Sequence, residues 1–121
     1  MAMITAITTP DDTPQPLTDT ARAEMADRAA EAAAYLKSLA HEGRLMILCH
    51  LSTKERSVGE LETLLDLRQS AVSQMLARLR DDGLVSNRRD GKTIYYSLSD
   101  PSTQQVIGLL YTLFCGADDA T

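Results

Sequence analysis

The chain has 121 residues, 44% of them apolar, with no Trp and a single Phe, so the composition allows one aliphatic core of modest size. A net charge of −5 argues mildly against binding to polyanions, and no run approaches the ~18 apolar residues of a membrane span. The N-terminus has no charged-then-apolar leader pattern. The expectation is a cytoplasmic protein with no membrane partner, whose two cysteines, 66 positions apart, form no permanent disulfide.

Residues 1–18 hold Pro10, Pro14 and Pro16 among Thr and Asp without periodicity and read as a disordered tail. Residues 19–116 read as one folded unit and residues 117–121 as a short C-terminal tail. Asp19 is the expected N-cap of an alanine-rich first helix, with Met25, Ala29, Leu36 and Leu39 in partial register. Such a helix buries little per residue and needs a large partner surface. After His41-Glu42-Gly43, a second helix is expected over about Gly43–Ser52, with Leu45, Leu48 and Leu51 on one face and Cys49 at the edge of that stripe. Ser57 with Glu60 makes a capping-box signature for a short third helix, about Val58–Leu65. Asp66-Leu67-Arg68 is a tight turn into a fourth helix, about Gln69–Asp82, with Ala71, Val72, Leu76 and Leu79 inward and Gly83 as its stop. Strands Leu84–Arg88 and Thr93–Leu98 flank a turn at Asp90-Gly91. Asp100-Pro101 opens a last helix, about Ser102–Cys115. The order is α-α-α-α-β-β-α, mainly α with a β-hairpin.

Two short helices joined by a tight turn suit a helix-turn-helix, whose second helix offers its N-terminal side chains to base edges. Here these are Arg68, Gln69, Ser70, Ser73 and Gln74, amides and hydroxyls able to bond bases, while Arg78 lies farther along and suits phosphate. A plain solvent face is the alternative, but such faces mix Glu and Lys, whereas Gln69–Ala77 carries no charge. The following hairpin adds Arg88, Arg89, Lys92 and Thr93, which suit a wing lying on the DNA backbone. Residues 68–95 hold six basic and three acidic groups, net +3, against six basic and fourteen acidic, net −8, in the rest. A basic reading segment therefore sits in an acidic body.

The stretches Leu36-Lys37-Ser38-Leu39-Ala40-His41-Glu42-Gly43-Arg44-Leu45, Ser57-Val58-Gly59-Glu60-Leu61, Gln69-Ser70-Ala71-Val72-Ser73-Gln74, Leu76–Val85 and Gly91-Lys92 with Tyr95-Tyr96-Ser97-Leu98 resemble the ArsR/SmtB family of bacterial repressors. The match covers about residues 35–115, and Met75 stands where many members carry His. The resemblance implies a winged helix-turn-helix homodimer, paired through its first and last helices, on double-stranded operator DNA with inverted half-sites ~34 Å apart or a little more. It also raises metal sensing. The Cys-x-Cys positions of the arsenic and lead type hold Ser57 and Gly59, and the last helix offers Asp100 but no His. His41 and His50 with Cys49 and Cys115 leave one metal site open, although lone helical histidines are more often solvated or core residues; no metal and no cofactor is expected.

From the residues alone, Cys49 and Cys115 read as two small buried thiols. Gly108 in the last helix suggests that the second helix approaches there. Leu48-Cys49-His50-Leu51 and Leu110-Tyr111-Thr112-Leu113-Phe114-Cys115 resemble the SqrR/BigR/HlyU subgroup, sensors of reactive sulfur such as glutathione persulfide. The resemblance implies that Cys49 and Cys115 are the sensing dithiol, joined by a polysulfide bridge that releases DNA. The helix dipole disfavours ionisation at Cys115, which makes Cys49 the expected first attacker. A metal- or disulfide/oxidant-responsive ArsR-type repressor is the alternative. A thiol enzyme is not expected, because no nucleophile–base motif is present.

Overall fold

The computed structural model describes residues 17–116, so the tails expected at 1–18 and 117–121 lie outside it except for Leu17 and Thr18. Helix α1 spans Asp19–Leu39, and its N-cap is Thr18 rather than Asp19: the Thr18 hydroxyl accepts the Ala21 N–H at 3.0 Å. Asp19 instead occupies the first turn, where a negative charge suits the helix dipole. Of the whole of α1 only Ser38 and Leu39 are buried. Helix α2 spans Glu42–Thr53, capped by His41, whose Nδ1 accepts the Arg44 N–H at 3.4 Å.

A strand absent from the sequence reading, β1, spans Arg56–Ser57, too short for an alternating pattern to register. Helix α3 spans Val58–Leu65 and is capped as expected: Glu60 N donates to Ser57 Oγ at 3.1 Å, and Ser57 N donates to Glu60 Oε1 at 2.9 Å. Asp66, at φ 55°, turns the chain in the left-handed region, and its N–H caps the Glu62 carbonyl. Helix α4 then spans Gln69–Asp81 and ends ahead of Gly83.

Strand β2 spans Val85–Asp90 and β3 spans Thr93–Leu98, antiparallel with Asp90 opposite Thr93. The two-residue turn is therefore Gly91-Lys92, one position later than expected. Gly91 alone of the pair has positive φ, 65°, the signature of a type II′ turn whose first central position favours glycine. β1 pairs with β3, so the sheet order is β1-β3-β2 and the element order is α-α-β-α-α-β-β-α. Helix α5 spans Pro101–Tyr111, with Asp100 accepting the Ser102 N–H at 2.9 Å, and gives way to a π-helical turn over Thr112–Gly116 rather than continuing as α-helix to Cys115.

The core gathers Ile47, Leu48 and Leu51 from α2, Leu61 from α3, Val72, Leu76 and Leu79 from α4, Leu84, Val85 and Tyr96 from the hairpin and Ile107 from α5. Each fully buried aliphatic side chain contributes about 1.5–3 kcal/mol. This cluster fixes the angle between α3 and α4 and seats the hairpin against them. No described helix is long and apolar enough to cross a membrane.

Candidate functional site

Burial of Val72, Leu76 and Leu79 orients α4 and turns the opposite face outward. Arg68, Gln69, Ser70 and Gln74 are exposed and Ser73 is half-buried. No side chain caps the start of α4, so its first backbone N–H groups stay available to an anion. Gln69 also shares a shallow hollow with Lys92 and Thr93 of the wing, beside Ser57, Gly59 and Glu62 at α3. The fold thus brings the start of the second helix and the tip of the wing onto one surface. Met75 is half-buried and turned inward: its Sδ lies 2.5 Å from where a Cβ would stand on Gly43, so a side chain there would have to displace the flexible end of Met75.

Two of the expected phosphate ligands are engaged within the protein. Arg78 Nε donates to Asp82 Oδ2 at 2.8 Å, and the Ser38 hydroxyl donates to the same oxygen. The Ser38 hydroxyl and then Arg78 hold the Asp82 carboxyl below the usual carboxylate range. Arg44 completes this junction, donating to the Ser38 and Lys37 carbonyls at 2.8 and 3.2 Å. Arg88 forks onto Glu55, Nε to Oε2 and Nη2 to Oε1, both at 2.8 Å, and lies 4.7 Å from the Tyr95 ring centroid. Among the described residues no ion pair engages Arg68, Arg89 or Lys92. Sequence reading missed Glu55 and Tyr95; only the register Arg88↔Tyr95, with Tyr95 opposite Ser57, reveals them.

Both cysteines are free. Cys49 is half-buried on α2, whereas Cys115 is exposed on the π-helical turn. Burial, and then repulsion from Cys115, push the Cys49 thiol up. Cys49, the expected first attacker, is thus the shielded thiol and Cys115 the accessible one. Gly108 does not admit α2, since a Cβ there would meet nothing within 4 Å. Around the thiols, the last-turn carbonyls of α2 are taken by side chains. Ser52 Oγ donates to the Cys49 carbonyl at 2.6 Å, Arg56 Nε to that of His50 at 3.3 Å and Gln104 Nε2 to that of Ser52 at 2.8 Å. Metal chemistry finds no support in this donor set: His41 Nδ1 caps α2, and among the described residues no group of three or more His, Cys, Asp or Glu could hold an ion.

A family model described as "Bacterial regulatory protein, arsR family" matches residues 41–87. The chain is 48% identical over 95 residues to the transcriptional activator HlyU of Vibrio cholerae, covering 78% of this chain and 88% of that one. The structure of reduced HlyU from Vibrio cholerae N16961 superposes with a TM-score of 0.72 at 49% identity, covering 76% of this chain and 97% of the other. That of the transcriptional repressor BigR from Xylella fastidiosa does so at 0.74 and 45%, covering 78% and 96%. With the winged helix-turn-helix in place and these relatives spanning the reading unit, the chain belongs to the ArsR family of DNA-binding transcriptional regulators and is not an enzyme.

Proposed function

We propose that the chain is a dithiol-based repressor. It binds operator DNA while reduced and lets go when reactive sulfur joins Cys49 to Cys115, derepressing genes of sulfide detoxification. The observation that carries this reading is that both thiols are free, Cys49 half-buried on α2 and Cys115 exposed just beyond α5. Arg68, Gln69, Ser70, Ser73 and Gln74 read the major groove, and Arg89, Lys92 and Thr93 meet the backbone. Two copies pair through α1 and α5, which expose Met25 and Leu36, and Leu109 and Tyr111, with Phe114 just beyond. The similar Vibrio cholerae structure is of reduced HlyU, which fits a redox-dependent reading.

Cys115, as thiolate, takes the outer sulfur of glutathione persulfide and releases glutathione; Cys49 is converted likewise. One cysteine persulfide then attacks the Sγ of the other, expels hydrosulfide and closes a three-sulfur bridge, with the persulfide as oxidant throughout. A further sulfur from another persulfide lengthens it. Such a chain spans a gap that a disulfide of ~2.05 Å cannot close without strain. Release of DNA requires the bridged state to bind operator more weakly.

Mass spectrometry after glutathione persulfide and, separately, peroxide tests this, paired with gel shifts on AT-rich inverted repeats. The expected result is a Cys49–Cys115 bridge with one or two added sulfur atoms and a lost shift. Equal operator affinity of reduced and persulfide-treated protein removes the mechanism. A zinc-dependent loss of binding with the thiols intact points to metal control instead.

A further inference from the structure

Besides the pairing of β3 with β1 and the burial of Val85 and Tyr96, one ion pair among the described residues ties the wing to the rest of the chain, and it uses an arginine expected on DNA. Glu55 lies between the end of α2 and β1, and its carboxylate reaches across the central strand β3 to Arg88 on β2. Both carboxylate oxygens accept from the guanidinium at 2.8 Å, and the Tyr95 ring lies under it at 4.7 Å. The fork thus spans all three strands, because Arg88 stands opposite Tyr95 and Tyr95 opposite Ser57. β1 itself contributes only two paired residues. On the other side of this junction, Arg56 holds the His50 carbonyl at 3.3 Å and the Thr53 hydroxyl at 3.0 Å, while Gln104 holds the Ser52 carbonyl at 2.8 Å. The end of α2 has no glycine cap, so these side chains satisfy its open carbonyls and fix the point from which Glu55 departs.

We propose that Glu55 and Arg88 form a brace that sets the wing's angle to the thiol-bearing helix, so that Arg88 acts on operator binding by placing Arg89 and Lys92 and not by touching phosphate. The proposal rests on the reading that the wing meets DNA. Both are positioning residues. A planar bidentate fork suits this role because it fixes orientation as well as distance, which a lysine cannot do. The competing arrangement, in which Glu55 merely restrains an arginine that swings onto phosphate in the complex, has opposite consequences. There, removing Glu55 frees a cation and takes away a negative charge, so binding tightens.

The test uses the full-length reduced protein and a duplex that the wild type selects from a random pool, with affinity measured over a range of salt. Glu55→Gln and Arg88→Gln are each expected to weaken binding about three- to fivefold. The double variant is expected to be no weaker than the worse single, because the two groups act as one unit. In all three the slope of log affinity against log salt stays at the wild-type value, whereas Arg89→Gln, present in both wings of the dimer, makes it shallower by about 1.8. Arg88→Lys, which keeps the charge and loses the fork, is expected to weaken binding at unchanged slope and guards against a folding defect in Arg88→Gln. Tighter binding by Glu55→Gln, a slope shallower by about 1.8 in Arg88→Gln, or independent effects in the double variant overturns the brace. An Arg89→Gln slope equal to wild type overturns the wing-on-DNA reading beneath it, so the two failures are told apart.

Discussion

The reading unit and the flanking helices solve burial in different ways. In α4, three of thirteen residues, Val72, Leu76 and Leu79, are wholly buried, and their spacing aims the opposite face outward. In α1, twenty-one residues bury only Ser38 and Leu39, leaving Met25 and Leu36 about half exposed at 51% and 60%. Phe114, beyond α5, is 78% exposed. The DNA-reading geometry is thus completed within one chain, whereas the outer helices carry apolar surface that a single chain does not cover. The two free cysteines lie at the margin between these parts, Cys49 on α2 and Cys115 just beyond α5.

The sharpest way to break this contrast is Leu76→Ala. It should cost about 2–5 kcal/mol in chemical denaturation, whereas Leu36→Ala should leave the midpoint of a dilute sample nearly unchanged. Equal losses at the two sites would dissolve the distinction. Next, Gln69→Ala and Gln74→Ala should each weaken operator binding by about 1–3 kcal/mol at unaltered melting temperature, read by titration of a selected duplex. Third, Ser57→Ala removes one half of the capping box at the root of the reading unit and should cost about 1 kcal/mol of stability, while Thr18→Ala at the exposed start of α1 should cost less. The smallest effect concerns Asp82, where the reading helix meets the end of α1. Its carboxyl is held below the usual range, so the stabilisation is complete above about pH 3.9 and disappears as pH falls through the lower folded value. Thermal melts of wild type and Asp82→Ala should therefore differ at neutral pH and converge in acid. A gap that persists at low pH would show that charge is not what Asp82 contributes.

Much of this molecule was legible in its residues. The Ser57/Glu60 box, the Asp100-Pro101 start and the outward amides of α4 follow from local chemistry and from a 3.6-residue period, so they stood where expected. The hairpin was legible to within one residue, because Gly91 suits more than one turn register and only the pairing of Asp90 with Thr93 chooses. The first helix was foreseen as needing a partner surface, because alanine buries so little.

What the sequence alone determined was therefore most of what neighbours along the chain govern: the Ser57 and Asp100 caps, the helical faces and the basic segment within an acidic body, with the first cap and the hairpin turn each displaced by one residue. Tertiary structure decided which charges are spoken for. Arg88 looks like Arg89 in the sequence, yet Glu55, thirty-three residues away, occupies it, and the Ser38 hydroxyl from α1 joins the local Arg78–Asp82 pair. It also decided the thiols, because desolvation at Cys49 depends on what packs over α2 and not on its helical position. Ion pairing and burial are properties of three-dimensional neighbours, and these are set by how the core closes.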